Sequence, residues 1–306
     1  MSYCNFGVEL YYKKMINKMM KIKTENVLCR ILGCSAIVLA FCGIITSINP
    51  ETFFVENVYG QPVELYGKGI YAYNSILTVS SRLGADFVGI LGGSFLIILT
   101  FLKTDKIWVE ILKTSQCVGF VYYFACLTLG IAMNTLYLFY VCSFGISILL
   151  SIHLLSKFFK QINVKEEIKI AKNVGVIRCL FISSLITIFV WSSMIVPCLI
   201  SKNFGELLGV LTTEITYAID LGILCPLMII CAVWIKNKND NGYKLAPILL
   251  YVLFSVGPMV ILQNLYCVKL GIQIPIPAFI GTILSFVVMS GVALIYLRKS
   301  MKFLVK

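Results

Sequence analysis

Apolar residues dominate the chain in blocks about twenty residues long, which short polar or basic links separate. An α-helix needs about twenty such residues to cross the roughly 30 Å hydrocarbon core of a bilayer. The pattern therefore predicts an all-α polytopic bundle of about eight transmembrane helices, in a single transmembrane domain over residues 1–306. The blocks cover residues 28–48, 83–102, 114–133, 134–155, 175–200, 207–234, 246–271 and 274–297.

The remaining segments have distinct compositions. Residues 1–27 and the tail 298–306 are basic, and residues 156–174 carry alternating charges typical of a short surface helix. Residues 49–82 contain Pro, Gly and aromatic residues, and Asn74 is a suitable N-cap. We predict an outer loop with an interfacial helix at residues 49–82, and a cytoplasmic connector at residues 156–174.

The charge distribution predicts the orientation. Only 13% of residues are charged, and the net charge of +12 comes from basic residues near the ends of the apolar blocks. If the N-terminus is cytoplasmic, the outer side receives only Lys68, Arg82, Lys202 and Lys269, as the positive-inside rule requires. Both termini are then cytoplasmic. The pattern indicates a cell membrane protein, assigned to the bacterial cytoplasmic membrane, whose partner is the lipid bilayer and not nucleic acid.

The sequence lacks the patterns of familiar cofactor and metal sites. Nearly all of the 12 cysteines lie inside apolar blocks without any CxxC spacing, and His153 is the single histidine. Walker, HExxH and GxSxG motifs do not occur. We therefore predict no cofactor, no metal and no catalytic set, and whether the chain is an enzyme stays open.

Acidic residues inside apolar blocks are the strongest functional signal. Glu214 and Asp220 lie in the block 207–234, and Asp86 lies in the block 83–102. A carboxylate at the bilayer centre costs roughly 2.5–3.5 kcal/mol, so it needs a partner, a proton or a function. At about 1.5 Å per residue, Asp220 lies near mid-membrane, and Glu214 and Asp86 lie closer to the outer surface.

Other polar residues are predicted at similar depths in the outer half of the bundle: Asn134, Tyr217, Gln263 and Asn264. Two prolines could break their helices and free backbone carbonyls for cation binding: Pro226 and Pro258. Together these residues predict an outward-opening acidic cavity with Asp220 at its floor, which binds a proton, a cation or a small solute.

Each signal also has a structural explanation. Asp86 could complement the dipole at the start of its helix and pair with Arg82. Glu214 could form an ion pair with Lys202 or Lys68. The prolines could only kink helices whose freed carbonyls meet neighbouring Ser or Thr side chains.

Three pieces of the chain resemble an uncharacterised family of bacterial multi-pass membrane proteins. They are YGKGIYAYNS followed by LGADF, NTLYLFYVCSFGISILLS, and TTEITYAIDLGILCP. The family pattern has an acid where this chain has Asn74. The resemblance implies a multi-pass membrane protein and draws attention to Asp86 and Asp220, but it implies no activity.

Three functions fit these observations. The first is a transporter for a small solute, coupled to a cation or a proton through Asp220. The second is a membrane enzyme that acts on a lipid or cell-envelope precursor, with Asp86 or Glu214 as general base. The third is a non-catalytic accessory or sensory protein whose acids are structurally paired.

Overall fold

The computed structural model describes residues 2–47, 51–102, 106–170, 173–271, 276 and 279–305, with side chains from residue 23 onward except at 170, 206 and 279. The side chains of the basic segment 1–22, most of the link at 103–106 and most of the predicted turn at 274–277 lie outside these residues.

Helices make up most of the described chain. They are α1 Ser2–Thr46, α2 Ile76–Phe101, α3 Ile107–Leu129, α4 Tyr137–Gln161, α5 Glu166–Ile170, α6 Val174–Ser201, α7 Gly205–Leu208, α8 Ile215–Ile219, α9 Cys225–Lys236, α10 Asp240–Lys269 and α11 Ser285–Met301. Two π-helical turns, Asp220–Leu224 and Phe279–Leu284, precede α9 and α11. The strands are β1 Thr52–Glu56, β2 Pro62–Tyr66, β3 Asn163–Val164 and β4 Leu304–Val305, paired as β1–β2 and β3–β4.

Seven helical stretches of the described residues are long and apolar enough to cross a membrane. They are Lys23–Thr46, Ile76–Phe101, Tyr137–Gln161, Val174–Ser201, Ile215–Lys236, Asp240–Lys269 and Ile280–Met301. The prediction of an all-α, multi-pass integral membrane protein is confirmed.

Helix α3 is the further long helix that the sequence predicts as a span. It is less apolar than the seven because it carries Glu110, Lys113 and Gln116. All three are buried, so their polar groups face protein and not the surroundings of the bundle. A total of about eight spans, with both termini cytoplasmic, stays a prediction.

The predicted outer loop contains a β-hairpin at residues 52–66, and the helix predicted after Asn74 begins at Ile76. Strands β1 and β2 pair antiparallel with Val55 opposite Val63. The Asn57 side chain accepts hydrogen bonds from the backbone N–H groups of Tyr59 and Gln61, at 2.9 and 3.0 Å, and this fixes the turn. Side-chain bonds of this kind favour a turn over a helix.

Helix α2 joins the predicted helical turn and the predicted second span in one continuous helix. Its N-cap is Ser75 and not Asn74, because the Ser75 hydroxyl accepts a hydrogen bond from the Thr78 N–H at 3.3 Å. Asn74 instead links two segments, since its amide oxygen accepts a 2.8 Å hydrogen bond from the Ala132 N–H. The start at Ile76 places Arg82 inside the helix.

The predicted span 207–234 divides into a short helix, a connection and a longer helix. Helix α7 ends at Leu208, and the membrane-length helix runs from Ile215 to Lys236 through a π-helical turn. In that turn the Cys225 N–H bonds back to the Asp220 carbonyl, five residues earlier. Such π-helical turns are frequent at functional sites.

Helix α2 lies between two cores. On one side it packs against α1, where Gly33 and Gly93 face each other so closely that a Cβ on Gly33 would lie 2.8 Å from the Gly93 carbonyl oxygen. On the other side it packs against α10, which also contacts α9 and α11. Small residues allow this close approach of membrane helices.

Candidate functional site

A cavity of about 750 Å³ lies between α2, α3, α6, α8, α9, α10 and α11. At one end it is lined by polar and aromatic side chains: Arg82, Tyr122, Trp191, Glu214, Tyr217, Asp220, Gln263 and Asn264. The set includes five of the residues predicted from the sequence to form the site.

Asp220 is the acid held deepest in this site. It begins the π-helical turn and is only 8% exposed. The indole N–H of Trp191 donates a 2.9 Å hydrogen bond to its Oδ2 atom, and the Tyr122 hydroxyl lies close by. The Trp191 ring packs against Tyr217, with 4.8 Å between ring centroids. Trp191 and Tyr122 therefore hold the Asp220 carboxylate at the wall of the cavity.

Glu214 lies at the start of α8 and not inside the helix as predicted. Its carboxylate accepts hydrogen bonds from the Thr216 N–H at 3.2 Å and from the Thr216 hydroxyl at 2.6 Å. It thus caps a helix N-terminus, where a negative charge is stabilised. The predicted ion pairs are wrong, because Lys68 pairs with Glu51 and Lys202 forms no ion pair with Glu214 in the described structure.

Arg82 is a cavity residue that the sequence interpretation assigned to the outer loop. It is 4% exposed, and its terminal nitrogen lies 3.5 Å from the Ser81 hydroxyl. Its Nε atom is buried without a hydrogen-bond partner, and no described carboxylate forms an ion pair with it. Cys126 lies within hydrogen-bonding reach of Arg82, and Glu214 and Asp86 interact with it electrostatically. A Ser-x-x-Thr capping pattern at Ser75 was the signal that could have placed Arg82 inside the helix.

Asp86 lies outside the cavity, in the core on the other side of α2. It is fully buried and accepts hydrogen bonds from the hydroxyl groups of Tyr71 and Tyr123, both at 2.7 Å. Asp86 and Arg82 interact electrostatically, but they do not form the direct ion pair that the sequence suggested. Burial and the neighbouring carboxylate raise the pKa of Tyr71 well above its ordinary value, so this phenol stays a donor.

The predicted amide residues separate into two places. Asn134 lies in the turn between α3 and α4, where its side-chain oxygen accepts a 2.9 Å hydrogen bond from the Leu136 N–H. It does not line the cavity. Gln263 and Asn264 line it, although the Asn264 amide also donates to the Val260 carbonyl at 2.7 Å.

Neither proline breaks its helix. Pro258 lies within the continuous helix α10, and Pro226 lies in the first turn of α9 after the π-helical turn. Pro258 removes the N–H that would bond to the Phe254 carbonyl. The Ser290 hydroxyl of α11 donates to that carbonyl at 2.5 Å, so the freed group is satisfied by a neighbouring helix.

A second charged cluster joins α1, α3 and α4. Glu25 accepts hydrogen bonds from Lys113 at 2.6 Å and from Lys157 at 2.9 Å, and its side chain is 3% exposed. His153 lies 3.5 Å from the same carboxylate. The sequence interpretation missed this cluster because it placed Glu25 in a cytoplasmic segment before the first span. The cluster pairs buried charges and lies away from the cavity lining.

Among the described residues, no group of three or more His, Cys, Asp or Glu side chains is arranged to hold a metal ion. The charged groups of the cavity can bind ions and hydrogen-bonding solutes directly. Comparison of the chain with protein-family models, curated proteins and solved structures finds no match.

Proposed function

We propose that this integral membrane protein transports a small solute and that Asp220 couples the transport to a proton or a cation. The observation that supports the proposal is the cavity of about 750 Å³ among membrane-length helices, with a carboxylate in its wall. Buried acids in membrane helices that face a cavity commonly form ion or proton pathways.

The surroundings of Asp220 suit reversible binding. A buried carboxylate without compensation is costly, so it takes a proton, a cation or hydrogen-bond donors. Trp191 donates to one oxygen, the Tyr122 hydroxyl lies close to the carboxylate, and Asp220 lines the cavity. Glu214 brings a second negative charge to the same space. The site therefore binds a cation or a proton when the carboxylates are not otherwise neutralised.

The geometry favours transport over a purely structural role for the acids. In an accessory protein with paired acids, Asp220 would be enclosed in a closed core, but it lines a cavity. A membrane enzyme needs a nucleophile or base with an orienting partner. In the described part of the cavity, the Glu214 carboxylate bonds to the N–H and the hydroxyl of Thr216 in the helix that Glu214 caps. It therefore lacks a separate partner that would orient it as a general base.

The test is solute-driven charge movement in proteoliposomes on a solid-supported membrane. Pools of amino acids, amines, carboxylates, sugars, nucleosides and single-chain amphiphiles would be added in turn at two pH values. We expect at least one pool to give a current that protein-free liposomes lack, with an amplitude that changes with pH. Currents equal to those of protein-free liposomes for every pool, together with no uptake of any pooled solute, would contradict transport.

A further inference from the structure

We propose that the cavity binds a single-chain zwitterionic amphiphile. Its anionic group contacts Arg82, its ammonium group lies at Glu214 and Asp220, and its hydrocarbon chain extends along the apolar end of the cavity. This inference names the substrate class of the same cavity and rests on the proposed function.

Arg82 supplies the anion-binding part. A guanidinium is charged at any relevant pH and carries five N–H donors, so a buried one needs several acceptors. Arg82 is only 4% exposed, its terminal nitrogen makes a long 3.5 Å hydrogen bond to the Ser81 hydroxyl, and Cys126 and Glu214 lie near it, but its Nε atom has no hydrogen-bond partner in the described structure. It lines the cavity, so a ligand can reach it. A carboxylate or phosphate accepts two parallel hydrogen bonds from such a group.

The ammonium part of the ligand is recognised by the two acids and two aromatic rings. Glu214, Asp220, Trp191 and Tyr217 all line the cavity. Carboxylates attract a cation, and aromatic faces add about 0.5–2 kcal/mol when the cation is desolvated. Arg82, Glu214 and Asp220 all act electrostatically on the same hydroxyl, that of Tyr122. Charges of both signs therefore lie near one group that lines the cavity, which suits a zwitterion.

The other end of the cavity is apolar. Its wall includes Phe95, Leu112, Leu253, Leu294 and Leu297. Two polar side chains at this end form a hydrogen bond with each other, because the Tyr251 hydroxyl donates to the Gln116 side-chain oxygen. A purely polar solute would leave this apolar surface without a partner, whereas a hydrocarbon chain would bury it.

The dimensions select one chain. Arg82 and Phe95 both line the cavity from α2, and at about 1.5 Å per residue they lie roughly 20 Å apart. A volume of about 750 Å³ is within the range of roughly 300–1,000 Å³ that holds a drug-sized molecule. The cavity is therefore long enough for a fatty chain, and its volume suits a ligand with a single chain.

The test is equilibrium binding to the full chain in nanodiscs of two-chain phosphatidylcholine, corrected for partition into empty nanodiscs and read from Trp191 fluorescence in a Trp108→Phe/Trp234→Phe background. The probes are lysophosphatidylethanolamine, lysophosphatidylglycerol and monoacylglycerol of equal chain length, and phosphoethanolamine. We expect lysophosphatidylethanolamine to bind at least tenfold more tightly than each of the others. Arg82→Gln should weaken this binding at least tenfold, whereas Arg30→Gln, outside the cavity lining, should leave it unchanged.

The probe series on the unaltered cavity keeps the proposal testable even if Arg82→Gln does not fold. If monoacylglycerol binds as tightly as lysophosphatidylethanolamine, the charged groups of the cavity do not recognise the ligand. If lysophosphatidylglycerol binds as tightly, the two acids do not recognise an ammonium group. Equal binding of phosphoethanolamine would remove the role of the apolar end. Each result overturns the proposal. Binding and transport are measured separately. If the amphiphile does not bind but another solute drives a current, the proposed transport stands and the proposed ligand is wrong. If the amphiphile binds but no solute drives a current, the proposed ligand stands and the proposed transport is wrong.

Discussion

The Trp191 indole nitrogen lies 2.9 Å from Asp220 Oδ2 and connects α6 to the π-helical turn before α9. The bond joins two elements that are separate in sequence and places a carboxylate at the wall of a cavity. The contact thus orients the acid that we propose as the coupling group.

Trp191→Phe should lower the free energy of unfolding by about 1.5–3 kcal/mol, because a hydrogen bond to a carboxylate is lost while most ring packing stays. It should also alter the pH dependence of transport, since Asp220 loses its donor. Thermal unfolding in detergent and current–pH curves measure the two effects. Trp234→Phe is the matched control outside the cavity lining. Equal stability and equal pH curves for both variants would contradict the role of this bond.

Ser290→Ala should cost about 0.6 kcal/mol, the average for side-chain hydrogen bonds between membrane helices, because it leaves the Phe254 carbonyl without its donor. Pro258→Ala restores a backbone N–H for that carbonyl, so the same serine substitution should then cost less. A double-mutant cycle of unfolding free energies measures the difference. Additive effects of Ser290→Ala and Pro258→Ala would show that the serine does not compensate for the proline.

Lys113→Met should lower the free energy of unfolding by about 1.5–3 kcal/mol, because buried Glu25 loses one of its two lysine partners and keeps Lys157. Lys68→Met is the matched control, since the Lys68–Glu51 pair is exposed and its loss should cost about 1 kcal/mol or less. Chemical unfolding followed by intrinsic fluorescence compares the two. A similar small loss for both variants would show that the buried cluster does not hold α1 against α3.

Tyr71→Phe should lower the free energy of unfolding by about 1.5–3 kcal/mol, because Asp86 loses one of its two hydroxyl donors. Since Asp86 lies outside the cavity, the initial rate of transport per folded molecule should not change. Tyr73→Phe is the control, because that side chain is exposed. A lost transport rate with unchanged stability would move Asp86 from a structural to a functional role.

The sequence alone predicted the long apolar helices, and it placed several polar residues at similar depths along them. Tyr217, Asp220, Gln263 and Asn264 do line one cavity. Depth alone does not determine which side of a helix faces a cavity, and Asp86 was grouped with them for that reason. Its side chain points to Tyr71 and Tyr123, and this direction depends on how α2 packs between its neighbours.

The errors at helix ends have a related cause. The hydropathy pattern marks where a chain is apolar, but α2 begins at Ile76 and α1 begins at Ser2, both before the apolar blocks that start at residues 83 and 28. Charged residues within those ends are buried by tertiary contacts that no local pattern shows. Arg82 and Glu25 were missed for this reason, although each is more than nine-tenths buried.

The most direct measurement compares solute-driven currents of wild-type protein, Asp220→Asn and Asp240→Asn at equal reconstituted amounts. Asp240 lies in the first turn of α10, pairs with Lys169 and does not line the cavity. We expect Asp220→Asn to reduce the coupled current at least tenfold and Asp240→Asn to keep it. An undiminished, equally pH-dependent current from folded Asp220→Asn protein would contradict the proposal that this carboxylate couples transport.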